Sequence, residues 1–386
     1  MGEPGSRAGA SREPASRECP ERPMGRSSAR TRPRSGGTIV RRLVIATTLL
    51  ICLVLAGQAR AASAPPPFYG VMAAQDPDST EIARMGAGKV GTLRINFVWS
   101  AVQPTPSSPL DFSYYDAIIG AAAQQGIRVL PTVYSTPTWA AARDNYPPDN
   151  AHLGDFRTFV NQAAARYGSN GTFWSSNPTV PKLPVADWQL WNEMNSPSFW
   201  YRKPNAKQYV RLLRVFTPAI KSADPSAKVV LGGLFRTPRI RNGIRLDRYL
   251  PAIYRAKAKP LFDAVAMHPY STTPKDALTA VKETRQIMAQ FKDRKAKLWI
   301  TEVGWATGGV ATPLTVSPQR QASYLRKTFG ILAANRKRMK IAGVIWYSWR
   351  DLPGGIWFNH TGLFTQTLDP KPSWNAFVGL TGGSAG

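Results

Sequence analysis

Two glutamates stand out in the sequence because each follows a run of apolar residues. Glu193 lies in the segment WNEMN (191–195), and Glu302 lies in the segment WITEVGW (299–305). A carboxylate at such a place is costly in an apolar core unless it is paired or lies at an edge of that core. Two carboxylates that face one cavity can divide the work of glycoside hydrolysis. One protonates the leaving oxygen, while the other attacks the anomeric carbon or activates water.

The elements that must position these acids recur from Phe68 onward, where short apolar runs alternate with longer amphipathic segments. We predict eight strands, at Phe68–Ala74, Thr92–Trp99, Arg128–Ser135, Asp187–Glu193, Lys228–Leu234, Ala264–Tyr270, Leu298–Trp305 and Gly343–Asp351. We predict intervening and final helices at Ser79–Met85, Ser113–Gln125, Asp155–Tyr167, Asn205–Ala223, Leu246–Ala256, Pro274–Phe291, Pro318–Asn335 and Ser373–Leu380. Strands that are apolar along their whole length are typical of parallel sheets buried on both faces. The alternation therefore predicts an α/β fold, a (β/α)8 TIM barrel with right-handed crossovers, as a single catalytic domain over residues 68–386.

The barrel directs the search for chemistry to the strand ends. In such barrels the active site lies at the carboxyl ends of the strands, and Glu193 and Glu302 end the fourth and seventh predicted strands. Alternatively, each glutamate pairs with an arginine, such as Arg94 or Arg350, only to hold the barrel together. We favour a functional pair because Asn192 accompanies one acid, aromatic residues surround both, and paired acids at a barrel mouth are usually functional.

The Trp-Asn-Glu motif at 191–193 and the Thr-Glu-x-Gly-Trp motif at 301–305 resemble those of the clan A retaining glycoside hydrolases. Within that clan the chain is similar to families 5 and 39, the cellulase-like and β-xylosidase-like groups, from about Phe68 to Leu380. The resemblance implies double displacement with retention of the anomeric configuration. It also implies that Glu193 is the general acid/base and Glu302 the nucleophile, with carboxyl groups ~5–5.5 Å apart.

Four further polar residues match positions of this family. Arg94, in the second predicted strand, corresponds to the arginine that supports the nucleophile, where its charge would keep Glu302 ionised. Asn192 would bond the sugar 2-hydroxyl, unless it only caps the end of the strand. His268 and Tyr270 end the sixth predicted strand, where the family often places a tyrosine hydroxyl near the nucleophile. A histidine in an apolar strand is, however, often structural.

Aromatic residues near the strand ends are candidates for stacking on sugar rings, whose C–H faces are apolar. A tryptophan of the eighth strand usually forms the floor of the sugar site in this clan. Alternation puts Trp346 and Trp349 on opposite sides of that strand, and we favour Trp346 as the one that faces the cavity. Six further aromatic residues lie at or just beyond the predicted strand ends, namely Trp99, Tyr134, Trp139, Trp200, Trp305 and Trp357. We expect some of them to bind sugar and the others to pack, and we favour Trp99, Trp139 and Trp305 as sugar-binding.

The N-terminal segment differs in composition from the rest of the chain. Residues 1–42 are rich in Arg, Ser, Pro and Gly and are predicted to be a disordered basic leader. The apolar run Leu43–Gly57 and the Ala-Arg-Ala site at 59–61 predict a secretory signal peptide over 43–61, followed by a Pro-rich linker at 62–67. We therefore expect a secreted, extracellular protein. An uncleaved N-terminal membrane anchor is the alternative, although the run is short for a span, which needs ~20 residues.

Composition also limits the partners and cofactors. The chain carries a formal net charge of +27, and residues 1–64, with 11 Arg and 4 Glu, leave +20 on the remainder. Such a charge would attract acidic glycans or cell walls, whereas no nucleic-acid-binding motif is present, so we expect no nucleic acid partner. Both cysteines, Cys19 and Cys52, precede the predicted barrel. No spacing among the three histidines and the acids indicates a metal site, so we expect no metal and no cofactor.

Three functions are compatible with these residues. We favour an enzyme that hydrolyses O-glycosidic bonds of a poly- or oligosaccharide. A cell-wall transglycosylase with the same residues would differ only in its acceptor. A non-catalytic carbohydrate-binding barrel would have no need of both acids. Fold and motif do not choose the glycan, because the subsites of such a barrel are built from its loops.

Overall fold

The computed structural model describes residues 64–201, 203–236 and 241–386. The predictions for the leader at 1–42 and the signal segment at 43–61 lie outside these residues. Within the described ranges, no helix combines the length and the apolar character needed to cross a membrane.

Eight parallel strands close into a barrel in chain order, and the eighth pairs with the first. The strands are β1 (Tyr69–Met72), β2 (Thr92–Val98), β3 (Arg128–Tyr134), β4 (Asp187–Asn192), β5 (Lys228–Phe235), β6 (Ala264–His268), β7 (Lys297–Val303) and β8 (Ile341–Tyr347). The predicted (β/α)8 TIM barrel is therefore confirmed. The largest difference in a strand end is at β8, which stops at Tyr347 rather than Asp351.

Helices follow the strands and cover the outside of the barrel. They are α1 (Ser79–Ala87), α2 (Trp99–Val102), α3 (Ser113–Gln124), α4 (Leu153–Tyr167), α5 (Thr172–Ser176), α6 (Ala206–Ala223), α7 (Leu246–Arg255), α8 (Pro274–Gln290), α9 (Pro318–Met339) and α10 (Pro372–Thr381). The short helices α2 and α5 were not predicted, since each contains too few residues to show a helical period.

Several helices begin at side-chain caps that the sequence encodes. At α1, Asp78 accepts a bond from the Glu81 amide at 2.8 Å, and the Glu81 carboxylate accepts from the Asp78 amide at 3.1 Å. This reciprocal pair is a capping box. Thr273 and Ser317 cap α8 and α9 in the same position, each just before a proline at the first helical residue. These caps fix the points at which the loops above the barrel end.

The apolar core has two layers, one between the sheet and the helices and one inside the barrel. The inner layer consists of Met72, Leu130, Val230, Ala264, Ala266, Trp299 and Ile345. Successive side chains of a strand point in opposite directions, so the inner layer also identifies the residues that point inward further along each strand. On β2 these are Arg94 and Asn96, and on β8 they are Ile345 and Tyr347.

The described part of the predicted linker packs against the barrel. Residues Pro66–Phe68 form one turn of 3-10 helix, and Phe68 is buried. The Pro67 carbonyl accepts a hydrogen bond from the Thr92 hydroxyl at 2.8 Å. Residues 66 and 67 are therefore part of the folded domain rather than a free tether.

Candidate active site

A cavity of about 540 Å³ opens at the carboxyl ends of the strands. Its lining comes from strand ends and loops around the whole barrel. The lining residues are Met72, Ala74, Asn96, Tyr134, Asn192, Glu193, Ser196, Ser198, Phe199, Phe235, Tyr270, Glu302, Tyr347, Trp357 and Phe358. The structure thus brings four predicted site residues, Asn192, Glu193, Tyr270 and Glu302, into one cavity.

The end of β4 turns two neighbouring side chains into the cavity, which a regular strand would not allow. The backbone φ angle is 70° at Trp191 and 36° at Glu193. Both lie in the left-handed region that residues other than glycine rarely adopt. The Glu193 amide donates to the Gly233 carbonyl at 2.9 Å, which fixes the turn. Such conformations cost on the order of 1–3 kcal/mol each and cluster at functional sites. Asn192 and Glu193 therefore both reach the cavity.

Glu302 is held at both carboxylate oxygens. It lies near the end of β7, where the pairing with β8 is irregular between Ile300 and Val303. Arg94 Nη1 lies 2.7 Å from Oε1, and the Tyr270 hydroxyl donates to Oε2 at 2.9 Å. A carboxylate with a charged donor on one oxygen and a neutral donor on the other has a fixed orientation.

Arg94 is fully buried and connects β2 with three other strands. Besides its ion pair with Glu302, its Nη2 donates to Asn192 Oδ1 at 2.8 Å. Its Nε donates to Thr132 Oγ1 at 3.0 Å and contacts Gln189 Oε1 at 3.3 Å. A buried guanidinium needs such complete pairing to offset its loss of solvation. The contact with Glu302 is the one the sequence predicted, and the catalytic role of Arg94 stays a prediction.

His268 contacts the other carboxyl group. Its Nδ1 lies 2.7 Å from Glu193 Oε1 and 3.5 Å from Glu302 Oε2, while its Nε2 lies 3.0 Å from Thr301 Oγ1. Space for the ring depends on Gly233, since a Cβ atom at that position would lie 2.0 Å from His268 Nε2. The histidine is therefore positioned on both sides, between the two acids and β5.

The electrostatic surroundings of Glu193 favour its protonated form. Burial raises the pKa of this carboxyl group, and the negative charge of Glu302 raises it further. The hydrogen bond and charge of His268 and the charge of Arg94 act in the opposite direction, but the pKa of Glu193 stays raised. Burial and the charge of Glu302 likewise raise the pKa of Tyr270 well above its usual value, so its hydroxyl remains a donor.

The two carboxyl groups are close together. One oxygen of Glu193, one oxygen of Glu302 and a ring nitrogen of His268 all lie within 4.8 Å of one another. Three such groups could hold a metal ion, but the Arg94 guanidinium already supplies a positive charge at Glu302. We therefore interpret the cluster as an acid pair with a histidine.

The prediction that Trp346 forms the floor of the cavity is wrong. Trp346 points outward from β8, is fully buried, and donates from Nε1 to the Thr361 carbonyl at 2.9 Å. Its ring packs against Phe329 of α9 and against Trp305. Trp305 is likewise buried in the outer layer and does not line the cavity. Tyr347 is the residue of β8 that does.

Trp99 and Trp139 also lie away from the cavity. Trp99 begins α2 and is almost completely buried, with its ring stacked on Phe159 at a centroid distance of 5.7 Å. Trp139 packs against Trp99 at 5.0 Å and donates from Nε1 to the Gln103 carbonyl at 3.2 Å. Both residues follow strand ends in the sequence, but they pack against the outer helices.

The sequence did not indicate most of the other residues that line the cavity. These other lining residues are Met72, Ala74, Asn96, Tyr134, Ser196, Ser198, Phe199, Phe235, Tyr347, Trp357 and Phe358. Asn96 had a usable signal, since it lies two residues after Arg94 and so on the same face of β2. Tyr134 and Trp357 were among the aromatic residues noted near the predicted strand ends. The other loop residues gave no signal, because loop positions carry no period that indicates direction.

The loops that follow β7 and β8 are tied to each other. The Val310 amide donates to the Gly355 carbonyl at 2.7 Å. The ammonium of Lys371 lies 2.6 Å from Asp351 Oδ2 and 2.9 Å from Thr307 Oγ1. Burial lowers the pKa of Lys371, and the charge of Asp351 opposes that shift. One buried lysine thus joins both loops beside the cavity.

Comparison with known protein families shows the family of this chain. Residues 67–351 match the family model for cellulase, glycosyl hydrolase family 5. The chain belongs to glycosyl hydrolase family 5. The match covers all eight strands of this family 5 protein and both predicted acids, so the expected membership of the glycosidase families is confirmed. No curated protein is significantly similar to it in sequence.

Solved structures show the same fold. A family 39 glycoside hydrolase from the gut symbiont Bacteroides cellulosilyticus WH2 is 19% identical, with a TM-score of 0.63 over 82% of this chain and 63% of that chain. A β-xylosidase from Caulobacter crescentus is 15% identical, with a TM-score of 0.60 over 83% of this chain and 69% of that one. GH5_18 from Streptomyces cattleya, solved in complex with GlcNAc, is 17% identical, with a TM-score of 0.61 over 82% and 80%. This family 5 chain thus spans less than two thirds of the family 39 enzyme.

Proposed function

We propose that the protein is an exported retaining glycoside hydrolase that cleaves an O-glycosidic bond of a carbohydrate substrate by double displacement. The observation that supports this most strongly is the unequal surroundings of two neighbouring carboxyl groups. Glu302 is paired with the Arg94 guanidinium, whereas Glu193 contacts His268 and, within the described residues, no arginine or lysine. Environments that separate two acids in this way distinguish a proton donor from a nucleophile.

In the first step of the proposed reaction, Glu302 attacks the anomeric carbon and the bond to the leaving oxygen breaks. Glu193 gives its proton to that oxygen, so the leaving group departs as a neutral alcohol. Its raised pKa suits this role, because a general acid must still hold its proton at the working pH. The product is a glycosyl ester of Glu302 with Glu193 ionised.

In the second step, the ionised Glu193 takes a proton from water, and the resulting hydroxide attacks the anomeric carbon. The ester bond to Glu302 breaks, the sugar is released, and both carboxyl groups return to their starting states. Two inversions at one carbon retain its configuration. The short separation of the two acids supports this course, since inverting enzymes hold theirs ~6.5–9.5 Å apart to make room for water.

Export rests on the sequence, namely the apolar run and cleavage site at 43–61. We propose that the folded domain is released outside the cell, with an N-terminal membrane anchor as the alternative. Expression of the full chain followed by N-terminal sequencing of the extracellular product distinguishes these outcomes. A product that begins near residue 62 supports release, and a cell-bound full-length chain supports the anchor.

The catalytic proposal is tested by the configuration of the first product. We would screen p-nitrophenyl β-glycosides of glucose, mannose, xylose and galactose and follow hydrolysis of the best one by proton NMR. A β-hemiacetal that appears first and then equilibrates supports retention. An α-hemiacetal that appears first would contradict it. Mass spectrometry after treatment with the matching 2-deoxy-2-fluoro glycosyl fluoride should place the label on Glu302, and Glu302→Gln should remain unlabelled.

A further inference from the structure

The exposed apolar side chains of the described residues are concentrated beside the cavity. Four large hydrophobic residues are exposed, and three of them lie on the loops after β7 and β8, namely Val310 at 69%, Ile356 at 52% and Phe358 at 39%. The fourth, Tyr114, lies at the start of α3. Contiguous exposed apolar surface usually marks a site of interaction. The proposed catalytic steps give these three exposed side chains no role.

This exposed surface is continuous with the wall of the cavity. Tyr270, whose hydroxyl bonds Glu302, packs against Trp357 with ring centroids 5.3 Å apart. Trp357 in turn packs against Phe358 at 5.8 Å, and both residues line the cavity. An unbroken row of rings therefore runs from the proposed nucleophile to the exposed loop that carries Phe358 and Ile356.

The opposite wall of the cavity carries the asparagine and serine side chains of the lining, beside the rings of Tyr134 and Phe199. Asn96, Asn192, Ser196 and Ser198 line it from the ends of β2 and β4, and these side chains can bond sugar hydroxyls. The loops after β7 and β8 instead present aromatic rings and, at Val310 and Ile356, branched aliphatic groups. Aromatic rings can stack on the face of a sugar, but Val310 and Ile356 offer a sugar neither a ring on which to stack nor a partner for its hydroxyls.

We propose that Val310, Ile356, Trp357 and Phe358 form a binding site for an apolar leaving group, an aryl or alkyl aglycone of the glycoside substrate. This inference rests on the proposed function and specifies its substrate class, which differs from the poly- or oligosaccharide expected from the sequence. The sugar occupies the wall with the asparagine and serine side chains, and the aglycone extends along the row of rings to the exposed loops. This apolar site is described below as the aglycone surface.

The aglycone surface is also preorganised. The bond between Val310 and Gly355 and the contacts of Lys371 with Asp351 and Thr307 join the two loops that form it. A surface that is already ordered loses little conformational entropy when a ligand binds. Its apolar area therefore remains available for binding free energy.

The first test compares alkyl β-glycosides of the preferred sugar. Methyl, butyl and octyl glycosides have leaving alcohols of nearly equal acidity, so differences in kcat/KM report binding of the alkyl chain rather than chemistry. We expect kcat/KM to rise at least about tenfold from methyl to octyl, which corresponds to burial of roughly two methylene groups. A second comparison, between the phenyl and 2-naphthyl β-glycosides of the same sugar, tests whether the site prefers an aryl aglycone. A gain in either series supports the proposal and identifies the type of aglycone.

Variants then locate the effect. Ile356→Ser combined with Phe358→Ser should reduce the gain from methyl to octyl to within about twofold, because each methylene would lose its apolar contact. Both residues are exposed, so the fold should tolerate the changes. Tyr114→Ser removes an equally exposed aromatic residue away from the cavity, and it should leave the gain unchanged. A gain that persists in the double variant would place the alkyl chain elsewhere and overturn the proposal.

The remaining outcomes separate the two proposals. Turnover with no dependence on alkyl length, or a clear preference for the disaccharide of the same sugar, overturns the aglycone surface and leaves the proposed function intact. If no glycoside is turned over, calorimetry can compare the affinities of the protein for octyl and methyl β-glucoside. Tighter binding of the octyl glucoside supports the aglycone surface, and equal affinity overturns it. If the double variant instead loses binding to phosphatidylcholine–phosphatidylglycerol vesicles while the alkyl series is flat, the surface docks on membranes and the proposal is wrong.

Discussion

The ring nitrogen Nδ1 of His268 lies 2.7 Å from Glu193 Oε1, so the proposed proton donor is held in place by a neighbouring imidazole. The same ring is fixed by Thr301 on its other side. The environment of the acid is therefore set by a contact that substitution can change without touching either carboxyl group. This gives a pH-dependent test.

His268→Asn should move the alkaline limb of the activity profile to higher pH. Catalysis needs Glu193 protonated, so kcat/KM falls as the pH rises through the pKa of Glu193. Burial raises that pKa, while His268 lowers it, and removal of His268 therefore raises it further. The measurement is kcat/KM against pH on an alkyl glycoside. His152→Asn, which removes a partly exposed histidine paired with Asp155, should leave the limb in place. A shift to lower pH in His268→Asn would contradict the assignment.

Substitution of Glu302 and substitution of Glu193 should reduce activity in different ways. Glu302→Gln should reduce kcat by about 10⁴-fold or more on every substrate, as expected for loss of a nucleophile. Glu193→Ala should retain much more activity on p-nitrophenyl glycosides than on alkyl glycosides, because nitrophenolate leaves without a proton. Azide should restore turnover of Glu193→Ala and yield a β-glycosyl azide, which NMR identifies. Equal losses on both substrate types would argue that Glu193 is not the proton donor.

Arg94→Met should lower the free energy of unfolding by about 3–5 kcal/mol, because it leaves the buried Glu302 charge without its partner. Urea denaturation measures the change. The double variant Arg94→Met with Glu302→Gln should recover most of that loss, since neither charge remains. Arg166→Met removes an arginine whose pair with Asp116 is partly exposed, and it should cost about 1 kcal/mol or less. Absence of recovery in the double variant would mean that Arg94 stabilises the barrel through its other partners.

Gly233→Ala should reduce activity while the protein stays folded. The added methyl group would lie 2.0 Å from His268 Nε2, so the ring must leave its present position beside Glu193. Circular dichroism and kcat/KM measured on the same preparation separate folding from function. Gly330→Ala is the matched control, because that position is helical and has open space around it. It should be neutral or stabilise by about 0.5–1 kcal/mol. Full activity in Gly233→Ala would show that the position of His268 matters little.

The fold and the two acids could be predicted because they depend on patterns of long range along the chain. Eight apolar runs separated by amphipathic segments leave few alternatives to a closed barrel. Glu193 and Glu302 stand at the ends of two of those runs, and the position of active sites in such barrels is general. The positions of Arg94 and Tyr270 next to Glu302 came from the family resemblance and agree with the structure.

The direction of individual side chains could not be predicted equally well. Every residue of β8 from Val344 to Trp346 is apolar and buried, because a barrel strand has core on both faces. The pattern therefore does not show which side chains point inward. Of Trp346 and Trp349 we favoured Trp346, but the residue of β8 that lines the cavity is Tyr347. The side chains of Asn192 and Glu193 both point inward because the backbone at Trp191 and Glu193 has left-handed φ angles. The residue types at these positions do not indicate such a conformation.

The Lys371 contacts described above also bear on how this barrel could acquire a different specificity. The ammonium holds Asp351, in the loop after the eighth strand, and Thr307, in the loop after the seventh. Replacing the part of the loop after the eighth strand that carries Asp351, but not Lys371, would leave a buried ammonium without its counterpart, at a cost of several kcal/mol. Replacing the loop after the seventh strand would remove only neutral contacts, those of Thr307 and Val310. A loop grafted after the eighth strand should therefore carry both Asp351 and Lys371, whereas the loop after the seventh strand can change separately.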